Sequence, residues 1–229
     1  MPRVTFHFDV VSPWSVFAYA VLKRYRQPWN LDLVLKPMFL GGVMSASGNQ
    51  PPINVKNKGA WMNGSDLPLA SAFYEVPYTF PAQFPLNTIH CMRVLRAVEK
   101  IAPAKLEKAT DLFYAAVWQP SSGSTALDAI NPASFPTLLA KDGLFSKSEI
   151  EQLIAAANSD EIKNLLKTES KELVEAGGAF GFPWIVVERD DGEKRSFFGS
   201  DRFEVMAFWL GKEWEGPLPQ GRKGGQAKL

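Results

Sequence analysis

The chain has 229 residues, of which 46% are hydrophobic and 21% are charged. This balance is typical of a soluble globular protein with a sizeable core, and it argues against an intrinsically disordered chain. The 25 basic and 24 acidic residues leave a net charge of +1 and are scattered along the chain, so the composition predicts neither a nucleic acid nor an anionic membrane as partner.

The first 52 residues predict a β-α-β unit followed by a loop. Residues 4–8 form a short β-rich run, and residues 14–25 carry apolar side chains at helical spacing. Within residues 31–40 apolar and polar positions alternate at first, which predicts a second strand broken by Pro37. Residues 41–52 are rich in Gly, Ser, Asn and Pro and therefore predict a loop.

The middle of the chain predicts helices only. Apolar residues recur at helical spacing in four segments, with Ser or Asn near several of the starts: residues 87–100, 104–118, 146–157 and 159–176. No segment between residues 52 and 176 has a convincing strand pattern, so we expect a helical block there.

The C-terminal part predicts a β-hairpin followed by a helix. Residues 184–188 and 195–198 are β-rich runs on either side of an Asp-Asp-Gly turn. Ser200 and Asp201 are predicted to cap a last helix that ends near residue 210. From residue 215 the chain is rich in Gly, Pro and Lys, which predicts a mobile tail.

This order of elements is that of an α/β, thioredoxin-like fold whose two halves are separated by an inserted all-helical domain. The first half supplies β-α-β and the second supplies β-β-α. We therefore predict a discontinuous thioredoxin-like domain of residues 1–50 and 177–214, a helical domain of residues 51–176, and a flexible tail of residues 215–229.

Cysteine usage and hydropathy restrict the chemistry further. Cys91 is the single cysteine, which excludes an intrachain disulfide and a cysteine zinc cluster and favours a reducing compartment. The opening MPRVTFHFDV contains no long apolar segment, and no run of about 18 apolar residues occurs in the sequence. We therefore expect a protein that is neither secreted nor membrane-spanning.

Ser12, Pro13, Trp14 and Ser15 follow the first predicted strand and open the first predicted helix. Serine is a favoured N-cap and proline a favoured first helical residue, so a purely structural cap is one interpretation. The other is a binding site, because the positive end of a helix favours an anion such as a thiolate. Thioredoxin-fold proteins carry C-x-x-C at this place, and here both cysteines are serines. Ser12 thus suits donation of a hydrogen bond to the sulfur of another molecule, for which glutathione is the candidate.

A site that holds a thiolate has a modest energetic requirement. A free thiol with a pKa near 8.5 is only about 3% ionised at pH 7. Lowering that pKa by about two units requires about 2.7 kcal/mol of differential stabilisation. A charge-assisted hydrogen bond of about 1.5–3 kcal/mol and a helix-end contribution of about 0.3–1 kcal/mol together supply it.

Two later segments, Phe182-Pro183 and Ser200-Asp201, can each be interpreted either as purely structural or as part of a binding site. The Phe182-Pro183 bond is either an edge-strand device or a cis-proline that, in the thioredoxin fold, faces the start of the first helix. In the second case the backbone of Phe182 is free to pair with the cysteinyl backbone of glutathione. Ser200 and Asp201 either only cap a helix or bind an amino-acid head group, whose ammonium group Asp201 would pair with.

The chain closely resembles the kappa-class glutathione S-transferases and the related 2-hydroxychromene-2-carboxylate isomerases. The matching segments run along nearly the whole chain and are FDVVSPWS at residues 8–15, SGNQPP at 47–52, NKGAW at 57–61, GAFGFP at 178–183 and FFGSDR at 197–202. The resemblance implies that Ser12 is the catalytic serine and that glutathione is a co-substrate, with no metal required. It also implies a homodimer.

The resemblance further implies a glutathione site formed by Pro13, Trp14, Asn49, Lys58, Phe182, Pro183, Ser200 and Asp201. Lys58 matches a lysine that reaches the glycyl carboxylate, although a solvated surface lysine is an equal interpretation. Trp14 and Phe182 stand where the family pattern leads us to expect tyrosine and a smaller aliphatic residue. Both add bulk near the sulfur, which affects the expected pocket for the second substrate more than glutathione binding.

Three functions are compatible with these residues. The first is transfer of glutathione to small electrophiles in detoxification, with peroxide reduction as a further activity of the same thiolate. The second is a glutathione-dependent isomerisation of the 2-hydroxychromene-2-carboxylate type, and the third is binding of glutathione or a peptide without turnover. The final Ala227-Lys228-Leu229 is a conservative variant of the S-K-L signal, which predicts a peroxisomal protein recognised by the import receptor, with a mitochondrial or cytosolic protein as alternative.

Overall fold

A computed structural model describes residues 1–219. Its sheet has four strands in the order β2-β1-β3-β4. The strands are β1 (Arg3–Phe8), β2 (Asp32–Pro37), β3 (Trp184–Glu188) and β4 (Lys194–Phe198). β1 runs parallel to β2 and antiparallel to β3, and β3 pairs with β4 as a hairpin.

The connections around this sheet follow the predicted order. A parallel pair needs a crossover, and helix α1 (Pro13–Tyr25) supplies it between β1 and β2. β1 points Val4, Phe6 and Phe8 into the core at alternate positions, as its period of two predicts. The β3-β4 hairpin is followed by the last helix, α11 (Phe203–Leu210). The β-α-β and β-β-α halves of the thioredoxin-like fold are therefore confirmed.

The segment between the two halves is helical, and residues 38–183 contain no strand. Two of the helices, α3 (Lys58–Trp61) and α4 (Leu67–Tyr74), are joined by a π-helical turn, Met62–Asp66. The helices are α2 (Leu40–Ser47), α3 (Lys58–Trp61), α4 (Leu67–Tyr74), α5 (Ile89–Ile101), α6 (Leu106–Trp118), α7 (Ala126–Ile130), α8 (Phe135–Ala140), α9 (Lys147–Asn158) and α10 (Asp160–Glu175).

One apolar core extends through both parts of the molecule. It includes residues of β1 and α1 together with residues of α5, α6 and α9. The division into two domains at residues 50 and 177 stays a prediction. None of the helices in residues 1–219 is long and apolar enough to span a membrane.

The loop predicted at residues 41–52 is wrong in its first half, where α2 lies. The helix begins at Leu40, whose amide donates a 2.8 Å hydrogen bond to the Asp9 carboxylate. Val43 is fully buried in a small apolar cluster that also contains Phe182. Because both contacts are tertiary, the local Gly- and Ser-rich composition did not reveal the helix.

The predicted cap of the last helix is also wrong, although the predicted end at Leu210 is confirmed. Arg202 occupies the N-cap position, without a side-chain hydrogen bond to the helix. Ser200 is instead buried in the protein, and its carbonyl accepts a 2.6 Å hydrogen bond from the Tyr74 hydroxyl. This leaves Asp201 exposed before the helix starts.

The first residues of the predicted mobile tail make hydrogen bonds to α1. The amide of Glu215 donates to the Tyr25 hydroxyl at 3.0 Å, and that hydroxyl donates to the carbonyl of Gly216 at 2.7 Å. Arg24 donates to the carbonyl of Pro217 at 3.2 Å. These contacts fix residues 215–217 against α1. The tripeptide Ala227-Lys228-Leu229 lies outside the described residues.

Candidate active site

Ser12 is the N-cap of α1, as predicted. Its backbone is extended, and its hydroxyl oxygen accepts a 3.2 Å hydrogen bond from the Ser15 amide. Pro13 occupies the first helical position, where its missing N–H has no cost. Only 4% of Ser12 is exposed, so the hydroxyl lies at the positive end of a helix and is shielded from bulk water.

The Ser12 hydroxyl faces the loop that enters β3. It donates a 3.2 Å hydrogen bond to the carbonyl of Phe182, and the Phe182-Pro183 peptide bond is cis. The structure therefore brings together two segments that lie 170 residues apart in the sequence. Rotation about the Cβ–Oγ bond of Ser12 redirects the hydroxyl hydrogen away from this carbonyl without moving the oxygen that caps the helix.

Asn49 joins the end of α2 to the same loop. Its side-chain amide donates a 2.7 Å hydrogen bond to the carbonyl of Phe180. A side chain at Gly181 would lie 3.1 Å from the Phe198 ring and 3.5 Å from the Asn49 amide nitrogen, so the loop packs closely here. Asn49 thus holds the loop that presents Phe182 to the site.

Ser200 and Asp201 lie on the turn between β4 and α11. Gly199 has a φ of +97°, and a side chain there would meet the Asp201 carboxylate at 2.6 Å. Asp201 pairs with Arg202 at 2.9 Å. Asp66, from the π-helical turn, also lines the cavity, and partial burial together with the negative charge of Asp201 raises its pKa. Sequence reasoning missed Asp66 because no motif surrounds it.

The nine predicted site residues line one cavity of about 1280 Å³. Lys58 is among them, on the short helix α3. The remaining lining is mostly apolar and aromatic and includes Phe39, Met44, Trp61, Met62, Leu69, Phe73 and Phe84. A large apolar cavity with a few polar groups of both signs is the usual form of a site for small organic ligands.

Asp9 is a further residue of this cavity that sequence reasoning missed. It is fully buried directly after β1 and accepts hydrogen bonds from the amides of Val11 and Leu40 and from the hydroxyl of Thr88. Burial raises its pKa to about 6, and the hydrogen bonds partly offset that effect. A charged residue directly after a buried strand was the available sign in the sequence.

The site has no cysteine of its own in the described part of the chain. Cys91 is buried in α5, and burial raises the pKa of its thiol, which makes it a poor nucleophile. Within residues 1–219 no group of three or more His, Cys, Asp or Glu side chains is placed to hold a metal ion. Any thiol chemistry here therefore uses the sulfur of a ligand.

The sheet order, the helix that starts at Ser12 and the cis-proline opposite it define a protein of the DsbA-like thioredoxin class. A family comparison agrees with the geometry, since the DSBA-like thioredoxin domain matches residues 3–210. A solved structure of 2-hydroxychromene-2-carboxylate isomerase superposes with a TM-score of 0.70 at 22% identity, covering 91% of this chain and 94% of the isomerase. The two share this fold.

Sequence comparison gives the particular group. The chain is 36% identical over 225 residues to glutathione S-transferase kappa 1 of Homo sapiens, with 96% of each chain covered. It is 26% identical over 209 residues to 2-hydroxychromene-2-carboxylate isomerase of Sphingobium xenophagum, covering 90% of this chain and 97% of the isomerase. The chain therefore belongs to the kappa-class glutathione S-transferase family.

Proposed function

We propose that this protein transfers glutathione to small electrophiles, with Ser12 holding the glutathione sulfur as a thiolate. The observation that carries the proposal is the position of the Ser12 hydroxyl, which is buried at the start of α1 and opposite the cis-proline loop in a cavity with groups of both signs. The identity to the kappa-class relatives along nearly the whole chain supports it.

The reaction follows from this geometry. When glutathione binds, its thiol proton passes to solvent, and the Ser12 hydroxyl turns from the Phe182 carbonyl to the sulfur. The amide end of α1 adds a favourable field for the anion. The thiolate then forms a carbon–sulfur bond with the electrophile, whose leaving group departs with its electron pair. The same thiolate would reduce a small peroxide by attacking one of its oxygens, which breaks the O–O bond, releases an alcohol or water and leaves a sulfenic acid on glutathione. A second glutathione then displaces water from that sulfenic acid and forms glutathione disulfide.

The rest of the tripeptide fits the remaining polar groups of the cavity. The backbone of Phe182 offers a donor and an acceptor to the cysteinyl residue, as an added strand does. Ser200 and Asp201 suit the γ-glutamyl head group, which carries both a carboxylate and an ammonium group. Lys58 suits the glycyl carboxylate, and Asn49 holds the loop in place.

The experiment is a conjugation assay with purified protein, glutathione and a chlorodinitrobenzene. We expect a thioether product and release of chloride. Tight binding of glutathione without conjugation, peroxide reduction or isomerisation would instead support a binding protein and overturn the proposal.

An isomerase is the second candidate, because the chain is similar along 90% of its length to the isomerase of Sphingobium xenophagum. In that reaction the thiolate adds reversibly to the substrate, a bond rotates, and the thiolate leaves again. Both reactions use Ser12, so assays of the two substrates with one enzyme preparation distinguish them.

Replacing Lys58 by alanine is expected to raise the KM for glutathione by about 3- to 10-fold, with kcat changed much less. One charge-assisted contact to a partly exposed carboxylate is worth about 1 kcal/mol, and that energy is lost equally from the bound substrate and the transition state. Lys56→Ala is the matched control, because Lys56 lies two residues away and is not among the residues that line the cavity. An equal rise of KM in both variants would contradict the assigned contact.

We also propose that the protein acts as a homodimer in the peroxisome. The resemblance to the kappa-class family supports the dimer, and the terminal Ala227-Lys228-Leu229 supports recognition by the import receptor. Sedimentation tests the first proposal, and import of a reporter protein with and without these three residues tests the second.

A further inference from the structure

We propose that Asp9 is a positioning residue for the reaction. Its carboxylate fixes the position of Ser12, because it links the turn before α1 to the starts of α2 and α5. The inference rests on the proposed function. It adds to that function a role for a residue that acts through hydrogen bonds to two backbone amides and a hydroxyl.

Three separate parts of the chain donate to this one carboxylate. One oxygen, Oδ1, accepts from the Val11 amide at 3.0 Å and from the Thr88 hydroxyl at 2.6 Å. The other oxygen, Oδ2, accepts from the Leu40 amide at 2.8 Å. Asp9 and Thr88 are both fully buried, so these hydrogen bonds have no competition from bulk water.

Each donor belongs to a segment that borders the active site. Val11 directly precedes Ser12, whose own amide donates to the Asp9 carbonyl at 3.1 Å. Leu40 begins α2, the helix that leads to Asn49. Thr88 directly precedes α5 and, like Leu40 and Val11, lines the cavity. A single side chain therefore fixes the relative place of three walls of the site.

The neighbouring groups leave the Asp9 carboxylate as an acceptor only. Cys91 of α5 and Tyr114 of α6 are the titratable side chains on which its charge acts, and burial together with that charge raises the pKa of each. Both are therefore neutral near pH 7. The three donors engage both oxygens of the carboxylate, which therefore serves as a hydrogen-bond acceptor.

A carboxamide in place of the Asp9 carboxylate is unable to reproduce the pattern. If the oxygen of the carboxamide took the place of Oδ1, its NH₂ group would face the Leu40 amide. In the opposite orientation the NH₂ group would face the Val11 amide. A backbone N–H only donates, so two donors would then face each other. The Thr88 hydroxyl alone adapts by rotation. Asp9→Asn therefore displaces either the turn at Ser12 or the start of α2, with no change of side-chain volume.

The first test compares the pKa of glutathione bound to the wild-type protein and to Asp9→Asn, read from the ultraviolet absorbance of the thiolate. We expect the pKa to rise by about one unit, and kcat for conjugation at pH 7 to fall by about threefold while KM for glutathione changes less than about twofold. A purely electrostatic role predicts the opposite sign, because removing a negative charge lowers the pKa of a nearby thiol. A lowered or an unchanged pKa overturns the proposal.

The second test uses Thr88, which keeps Asp9 intact. Thr88→Val removes the hydroxyl at nearly constant shape, and Thr88→Ser keeps it. In the valine variant we expect the pKa of bound glutathione to rise, but by less than in Asp9→Asn. The serine variant should match the wild type. Equal behaviour of the two variants overturns the proposal. If Asp9→Asn fails to fold, the two Thr88 variants still test the positioning role of Asp9.

A third measurement separates failure of the inference from failure of the proposed function. Hydrogen exchange of the Val11 and Ser12 amides reports on the turn without any ligand. We expect at least a tenfold loss of protection in Asp9→Asn and in Thr88→Val, and none in Thr88→Ser. If the wild-type protein does not conjugate glutathione, the proposed function fails, while this pattern of protection still supports or overturns the positioning role.

Discussion

Replacing Ser12 by alanine is expected to slow conjugation at pH 7 by roughly 3- to 25-fold and to move the onset of activity to higher pH. Loss of a charge-assisted hydrogen bond worth about 1.5–3 kcal/mol raises the pKa of the bound thiol by about one to two units. From a starting value near 6.5, that shift lowers the ionised fraction at pH 7 by the stated factor. Much of the activity should return at pH 9, where the thiol ionises without help. A pH–rate profile of kcat measures the effect.

Ser146→Ala is the matched control for this experiment. Ser146 caps α9 in the same way as Ser12 caps α1, with its hydroxyl accepting from the Glu149 amide, but it is not among the residues that line the cavity. Both substitutions remove an N-cap worth about 1 kcal/mol of stability. Only Ser12→Ala should change the pH profile, and a profile that stays the same in both variants would exclude a role of Ser12 in ionising the thiol.

Replacing Trp118 by alanine is expected to lower the free energy of unfolding by at least about 3 kcal/mol. Trp118 is fully buried at the end of α6, and its indole nitrogen donates a 2.8 Å hydrogen bond to the carbonyl of Val10. The substitution leaves a large cavity, which costs about 3–5 kcal/mol, and it leaves that carbonyl without a partner. For a chain of this size the Tm should fall by roughly 6–20 °C.

Trp61→Ala provides the comparison, since Trp61 is 55% exposed on the short helix α3. Its removal should change the free energy of unfolding by less than about 1 kcal/mol. Urea denaturation of the two variants measures both values. If the two variants lost similar amounts of stability, the contact of Trp118 with the turn before Ser12 would not contribute to the stability of the fold.

The parts of the fold that were predictable from sequence are those with a strong local signal. The strand β1 alternates buried and outward residues, and Ser12 with Pro13 has the composition of a helix start. Ser146 and Ser159 likewise marked the starts of α9 and α10. In each case the residues that decide the structure lie within a few positions of one another.

The missed features depend on partners that are distant in the sequence. Asp9 receives hydrogen bonds from Leu40 and Thr88, which are 31 and 79 residues away. The helix α2 has glycines in its first turn and is set by tertiary contacts. Ser200 looked like a helix cap, yet its carbonyl bonds to Tyr74, 126 residues earlier. No local pattern records such contacts.

The cavity is large enough to bear on whether both substrates bind at the same time. Pockets that enclose one drug-sized molecule measure about 300–1000 Å³, whereas this one measures about 1280 Å³ and is mostly apolar away from the polar groups near Ser12. A tripeptide and a second, apolar molecule therefore fit side by side. We therefore expect catalysis through a ternary complex, which intersecting double-reciprocal plots would reveal.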